Sequence, residues 1–403
     1  MSSFDPSRLL AARASASDEG AIIRMAQKTR ELRAAGHDVV SLTLGEPDFD
    51  TPMHIQESAT AAMKAGFTHY SPVAGIPELR AAIAKKLCNE NGLDYTAGEI
   101  AVSNGVKQAI ANAIFALIEP GDEVILLAPY WVSYELIVRL AGGTPVVLKA
   151  GVADDFKVPA PAIAAALTAK TKLLVLNSPN NPTGAVWTLD ELRQIAALVD
   201  THPQLMVLSD EIYEYILFDG EMHSFAALPN MKQRTITVNG FSKGFAMTGW
   251  RLGYGAAPQP IAKAMARMQS GITAGANAFV QRAAITALEG PRDSVTAMAA
   301  RYRIRRDMIV RGLTNIPGLK VAPIPATFYA FPDVSAYLGT KTGNHLIDSV
   351  DTLCDWLVEH HGVATVPGTA FGDGACIRLS FATGEAEIEK ALARLAAAFG
   401  QLS

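Results

Sequence analysis

Leu205-Met206-Val207-Leu208-Ser209-Asp210-Glu211-Ile212-Tyr213 is the segment on which the fold turns. Four consecutive apolar residues closed by polar ones describe a strand buried on both faces. That is the habit of a parallel sheet covered by helices, not of a strand with one wet face. Similar short runs flank it at Glu99–Ser103, Glu123–Ala128, Pro145–Lys149, Lys172–Asn177 and Thr235–Val238, with Arg251–Gly255 as an antiparallel or edge addition. Helical signals separate the runs. Thr188 and Glu191 have capping-box spacing ahead of Leu192, Ile195, Ala196 and Val199, and Gly142-Gly143 closes a helix carrying Leu136, Val138 and Leu140. From Asp38 to about Pro258 this rhythm predicts an α/β domain of three layers around a mainly parallel sheet. Beyond it, Ile261–Leu288 and Ser294–Leu313 have long helical periodicity. Lys320–Val334, Ile377–Phe381 and Glu385–Phe399 predict a smaller α+β domain, joined by residues before Gly45.

Size and composition agree with two domains. The chain has 403 residues, beyond what one hydrophobic core usually serves, and 49% of them are hydrophobic against 18% charged, which excludes intrinsic disorder. Lys plus Arg number 35 and Asp plus Glu 39, for a formal charge of −4 with no basic run, so neither nucleic acid nor a membrane surface is expected as a partner. No stretch approaches the ~18 consecutive apolar residues of a membrane span. Cys88, Cys354 and Cys376 fit no disulfide or zinc spacing and read as reduced, buried thiols of a cytoplasmic protein, with no metal site. Ser7–Ser15 is rich in Arg, Ser and Ala like a transit peptide, but Asp5 and Asp18 bracket it, and it reads as an N-terminal arm.

In open α/β sheets ligands lie beyond the carboxyl ends of the strands, so the residues just past each strand are the candidates for chemistry. Lys243 follows the strand Thr235–Val238 and would serve as a nucleophile or Schiff-base amine if buried. Asp210 and Tyr213 follow the opening strand. A carboxylate there would keep a ring nitrogen protonated, and a phenol three residues on would address the ring's phenolate oxygen. At Ser103-Asn104-Gly105-Val106-Lys107-Gln108 a strand ends, a glycine turns and a helix begins, so free amides at the positive end of the helix dipole would receive a phosphate. Arg251 offers a planar fork for the same phosphate, Asn177–Gly184 brings a rigid turn with amides, and Trp131 after Pro129-Tyr130 offers a flat face. Phosphate, ring nitrogen, phenolate oxygen, aldehyde carbon and aromatic face thus each find a partner. Together they describe pyridoxal 5′-phosphate.

Competing motifs are weaker. Gly244 to Gly249 begins like a P-loop, but Trp250 stands where the phosphate-binding lysine belongs, and Gly253-Tyr254-Gly255 lacks the third glycine of a dinucleotide fingerprint. Gly240-Phe241-Ser242-Lys243-Gly244 matches the GxSxG of serine hydrolases, with His345, His360 and His361 downstream as bases, but no HGGG-type oxyanion segment precedes it.

With these residues in place the chain resembles the class I aminotransferases, enzymes of pyridoxal-phosphate fold type I, and among them the bacterial aspartate aminotransferase branch. The likeness runs from Gly45-Glu46-Pro47-Asp48-Phe49-Asp50-Thr51-Pro52 to Arg378-Leu379-Ser380. It includes Tyr70 before Gly75-Ile76-Pro77-Glu78-Leu79-Arg80, Pro129-Tyr130-Trp131, Asn180-Asn181-Pro182-Thr183-Gly184, Ser209–Tyr213 and Ser242-Lys243 through Arg251. The resemblance implies that Lys243 bonds to the cofactor aldehyde, Asp210 binds its ring nitrogen, Asn181 and Tyr213 reach its ring oxygen, and Trp131 stacks on the ring. It further implies a phosphate held by Gly105, Val106 and Arg251 with Tyr70 of a neighbouring subunit, hence a homodimer with shared sites. Arg378 would clamp the substrate α-carboxylate with Asn181, Trp131 and the Gly45 backbone, and Lys107 would read a distal carboxylate. The domains implied are 1–50 as arm and small-domain segment, 51–300 as the large cofactor-binding domain, and 301–403 as the small domain.

Three departures from the family pattern matter. Gly240 stands where many relatives place a phosphate-binding Ser or Thr, and Gln269-Ser270-Gly271-Ile272-Thr273 lacks the arginine that reads the second carboxylate in another branch. The arm segment Ser17-Asp18-Glu19-Gly20-Ala21-Ile22 likewise does not reproduce the Ser/Thr of clear relatives. The activity implied is ping-pong transfer of an amino group between an L-amino acid, aspartate or glutamate, and a 2-oxo acid. The alternatives are an aromatic, prephenate or broad-range aminotransferase, a carbon–sulfur lyase on the same cofactor, or a serine hydrolase using Ser242. A transcription regulator built on this domain would need a DNA-binding module, for which the segment before Gly45 is too short.

Overall fold

The computed structural model describes residues 5–15, 20–343 and 345–402, so Ser17, Asp18 and Glu19 of the arm segment lie outside the described residues. Seven strands form the main sheet: β1 (Ile100–Ser103), β2 (Glu123–Ala128), β3 (Thr144–Lys149), β4 (Thr171–Asn177), β5 (Met206–Asp210), β6 (Thr235–Gly240) and β7 (Gly253–Ala256). Their spatial order is β1-β7-β6-β5-β4-β2-β3, and only β7 runs antiparallel to its neighbours. The apolar runs at β4, β5 and β6 form central strands because both faces are covered. Leu173, Leu174, Val207, Leu208, Ile236 and Val238 are all fully buried, and each contributes about 1.5–3 kcal/mol of apolar burial. Register decides where the strands end together. Asn177 pairs with Asp210 and Asp210 with Val238, which aligns the carboxyl ends of β4, β5 and β6 on one edge of the sheet.

The helix over Leu189–Asp200 starts on the expected box. The Thr188 hydroxyl oxygen accepts from the Glu191 amide at 3.3 Å, the Glu191 carboxylate accepts from the Thr188 amide at 2.8 Å, and Leu192, Ile195, Ala196 and Val199 are buried beneath. The helix over Ser133–Leu140 ends as predicted, with Gly142 at φ 85° and the Gly143 amide donating to the Val138 carbonyl at 3.0 Å.

Gly253–Ala256 is the antiparallel addition expected, placed between β1 and β6 rather than at an edge. Two expectations are corrected. The helix expected over Ile261–Leu288 is two helices, Gln259–Ile272 and Ala278–Glu289. Ala274 and Gly275 take positive φ between them, and the Asn277 side chain accepts from the Val280 amide to start the second. Cys354 and Cys376 are buried, but Cys88 is exposed.

The smaller α+β part has a three-stranded antiparallel sheet, with Ile377–Ser380 between Val366–Pro367 and Tyr329–Ala330. Val40–Ser41 pairs in parallel with Val363–Ala364, so residues before Gly45 do join this part. Its helices Val350–His361 and Glu385–Gly400 bury Leu353, Leu357, Ile388 and Leu395. Among the described residues no helix is long and apolar enough to cross a membrane.

Candidate active site

The strand ends and the small sheet converge on one cavity of about 310 Å³. Eleven of the twelve residues singled out from the sequence relate to it directly: Gly45, Val106, Lys107, Trp131, Asn181, Asp210, Tyr213, Lys243, Arg251 and Arg378 line it, and Gly105 packs against Arg251. Tyr70 does not. It is 97% exposed and sits in a separate surface recess with Phe67–Ser71 and Thr273–Phe279.

Lys243 leaves the turn after β6 with its ammonium enclosed by protein, and its Nζ donates to the Gly45 carbonyl at 2.5 Å. Burial lowers its pKa to about 8. The nearby guanidinium groups of Arg378 and Arg251 push the same way, against the carboxylates of Glu46 and Asp210. Asp210 shows the complementary shift. Burial raises its pKa to about 6, although the Tyr134 hydroxyl donates to Oδ2 at 2.7 Å and the Ile212 amide to Oδ1 at 3.2 Å. A carboxylate so placed is completed by a cation within the cavity.

At the other wall Arg378 is 1% exposed, with its guanidinium between the rings of Tyr329 and Phe371 at 4.7 and 4.8 Å. Nη1 donates to Asn181 Oδ1 at 3.2 Å and Nη2 to the Thr43 carbonyl at 2.6 Å, while Nε has no partner among the described residues. Asn181 is fixed in turn by Asn177, whose Oδ1 accepts the Asn181 amide at 2.9 Å. Lys107 lies 5.0 Å from the centre of the Trp131 ring and has no carboxylate partner among the described residues. Burial, then the charge of Arg251, lowers its pKa.

The floor explains the glycines. Gly105 has φ 84° at the start of the helix Val106–Leu117, and a Cβ there would come within 2.7 Å of Arg251 Nη2. A Cβ on Gly253 would approach the Val106 amide nitrogen to 2.5 Å, and one on Gly240 would approach Gly253 Cα to 2.8 Å. Gly240 is therefore bare because β6 and β7 touch there, leaving helix amides and Arg251 to face an anion. Arg251 itself has φ 55° and donates from Nη1 to the Thr248 carbonyl at 2.9 Å. A helix-start cradle with a guanidinium, a buried acid short of a cation and an enclosed amine of lowered pKa fit a phosphorylated pyridine aldehyde.

The serine-hydrolase geometry is absent. Ser242 lines the cavity, but the residues after β6 form turns rather than a helix, no histidine lines the cavity, and His345 and His361 pack against His360 and Trp356 instead. Sequence reasoning missed Tyr134 and Tyr329 and read Asn177 only as the start of a rigid turn, whereas all three act through other side chains. Asn177 and Tyr134 follow or flank strand ends, where a search of neighbouring polar residues would have found them. Tyr329 carries no such signal.

Comparison with known proteins agrees with this geometry. Residues 37–395 match the family Aminotransferase class I and II. The chain is 46% identical to the bifunctional aspartate aminotransferase and glutamate/aspartate-prephenate aminotransferase of Petunia hybrida, over 93% of this chain and 79% of that one. It is 42% identical to the aspartate/prephenate aminotransferase of Cereibacter sphaeroides, over 94% and 96%. The aspartate aminotransferase of Rhizobium meliloti superposes with TM-score 0.94 at 40% identity over 98% of this chain and 99% of that one, and the Thermus thermophilus aspartate aminotransferase with maleate gives 0.91 at 42% over 96% and 99%. The chain belongs to the class I and II aminotransferases. It is a fold-type I enzyme that uses pyridoxal 5′-phosphate to move an amino group between an L-amino acid and a 2-oxo acid.

Proposed function

We propose that the acids exchanged are dicarboxylic, with aspartate or glutamate as donor, and that catalysis takes place in the cytoplasm at sites shared by two copies of the chain. The observation that carries the acidic reading is the pair of cations on one cavity: Arg378, buried, and Lys107, with no partner for Arg378 Nε and no carboxylate for Lys107 among the described residues. Arg378 would receive the α-carboxylate and so fix the orientation of the substrate in the cavity. Lys107 receives the distal carboxylate. The cofactor, when bound, serves as the sink for the electrons left at Cα. Asp210 holds a proton on the ring nitrogen, Asn181 and Tyr213 address the ring oxygen, and Trp131 covers one face. Gly105, Val106 and Arg251 hold the phosphate. Lys243 Nζ, neutral in a fraction of molecules near pH 8, accepts the Cα proton. The Gly45 carbonyl, which accepts from Lys243, places that amine before the cofactor enters.

Met53, Phe67, Tyr70 and Ile272 are exposed apolar side chains, and their exposure supports a face covered by a second copy that brings Tyr70 to the partner's phosphate. The same proposal divides the chain at residues 50 and 300, although the second boundary falls within the helix Asp293–Thr314. Prephenate is a second acceptor to consider, because relatives in Petunia and Cereibacter are named for it and it too carries two carboxylates.

A panel of amino donors against 2-oxoglutarate, oxaloacetate, pyruvate and prephenate tests the reading with wild type and Lys107→Gln. We expect Lys107→Gln to lose about 10-fold or more in kcat/KM for dicarboxylic substrates and little for neutral ones. Equal losses on both classes would show that Lys107 supports the cofactor instead.

A further inference from the structure

Asp210 and Tyr213 line the cavity, whereas Glu211 and Glu214, each one residue further on, do not. Glu214 is bound instead to Lys86, on the helix Pro77–Asn91, at 2.5 Å, with side chains only 6% and 3% exposed. The rest of the carboxylate is also occupied. Asn239 Nδ2 donates to its Oε1 at 2.8 Å and Asn91 Nδ2 to its Oε2 at 2.9 Å. Glu211 stands outside this ion pair. Its oxygens accept from the Ser209 and Ser224 hydroxyls at 2.9 and 2.6 Å, and burial, with the charge of Glu214 adding to it, raises its pKa to about 7.

A buried ion pair gains little stability over apolar residues of the same volume, because desolvation takes back most of the attraction. What it adds is direction, since charged hydrogen bonds hold the groups they join in one arrangement. Here those groups are the ends of β5 and β6. The ladder between the two strands stops at Asp210 and Val238, followed by one backbone bond from the Glu211 amide to the Val238 carbonyl at 3.0 Å. Beyond it the chain enters the turns that carry Tyr213 and Lys243, and the bond from Asn239 to Glu214 spans them. The Asn239 side chain also accepts from the Gly240 amide at 2.7 Å, which holds the start of the lysine turn. Tyr215 closes the same gap. A Cβ on Gly244 would collide with the Tyr215 ring, which packs edge-on against Phe245 with centres 5.5 Å apart.

We propose that Lys86 and Glu214 are positioning residues, a clamp outside the cavity that sets the separation of Tyr213 from Lys243 by tying both strand ends to one helix. The inference rests on the functional reading above and deepens it. Lys243 Nζ stands 6.0 Å from the centre of the Tyr213 ring, and the clamp holds that spacing through Asn239 and the backbone without touching either group. Loosening it lets the phenol and the amine drift apart while Arg378 and Lys107, which belong to other elements, stay in place.

The test uses the holoenzyme loaded with pyridoxal 5′-phosphate, well below the Tm of each variant. It reads visible circular dichroism per bound cofactor, which reports how firmly the ring is held, beside kcat and KM for aspartate. Glu214→Gln keeps the size of the side chain and removes the charge facing Lys86. Asn239→Ala removes the link between the turns and leaves the ion pair. Each is expected to lower the ellipticity by about half and kcat about 10-fold, with KM for aspartate moving less than about 3-fold. The double variant should be no worse than Glu214→Gln alone, because both changes cut one link. Thr188→Ala, which removes the start signal of the helix Leu189–Asp200, should lower Tm and leave ellipticity and kcat as in wild type. Lowered Tm with wild-type ellipticity and kcat in Glu214→Gln and Asn239→Ala would overturn the clamp. Losses that add in the double variant, or equal losses in Thr188→Ala, would do the same. A wild type that shows no visible band with pyridoxal 5′-phosphate would overturn the functional reading and the clamp with it.

Discussion

Burial sets opposite shifts on the two ionisable groups that matter most. The Lys243 amine is held at about 8, so the folded chain binds fewer protons there than the unfolded chain between about pH 8 and the ordinary lysine value of 10.5. Apo protein should therefore react with an added aldehyde at a rate that rises through about pH 8. A rise centred above pH 10, read by difference absorbance, would place the amine in water instead. Asp210, raised to about 6, makes the folded chain bind more protons than the unfolded one between the ordinary aspartate value of 3.8 and 6, and stability falls as pH rises through that window. Asp210→Asn removes this penalty. In the apo protein its Tm relative to wild type should be higher at pH 7.5 than at pH 4.5, by scanning calorimetry; a difference independent of pH would mean that Asp210 is not ionising in a buried place. The identity of both residues was legible in the sequence, because each follows a strand. Their shifts were not, because enclosure by Gly45, Tyr134 and Arg378 comes from segments far away along the chain.

Elements explain why the proposed phosphate cradle is built with three glycines. β7 crosses so close to the helix over Val106–Leu117 that a methyl on Gly253 would meet the Val106 amide at 2.5 Å. Gly253→Ala must push that amide away from the cradle or shift β7, at a cost of about 1–3 kcal/mol to stability. Cofactor affinity should fall about 10-fold or more by fluorescence titration of the apo protein, with a smaller effect on Tm than on binding. Undiminished affinity would show that the Val106 amide does not face the phosphate. The strands were readable because apolar runs announce central positions, and the box at Thr188 and the glycine stop at Gly142 behave as local chemistry dictates. Two features were not. The interior position of β7 depends on strand order, which short-range pattern does not contain. The break at Thr273–Asn277 depends on a few backbone angles within a run whose periodicity continues on both sides.

At the scale of the whole molecule, the exposed position of Tyr70 makes a strong prediction about assembly. If each site combines Lys243 of one chain with Tyr70 of the other, mixing Lys243→Ala with Tyr70→Ala subunits should regenerate wild-type sites. Random pairing of equal amounts would restore about one quarter of the wild-type sites. No gain over the unmixed parents, assayed at limiting cofactor after exchange is confirmed by native mass spectrometry, would put Tyr70 outside the shared site. Both parts of the molecule meet at the cavity, where Arg378 from the small sheet contacts Asn181 beyond β4 and Lys243 beyond β6 contacts Gly45. All of the proposed chemistry depends on Lys243 holding the cofactor covalently. Borohydride reduction of freshly loaded protein followed by peptide mapping tests this most directly. A reduced pyridoxyl adduct on Lys243 is the predicted result, whereas an unmodified Lys243 or an adduct on another lysine would contradict it.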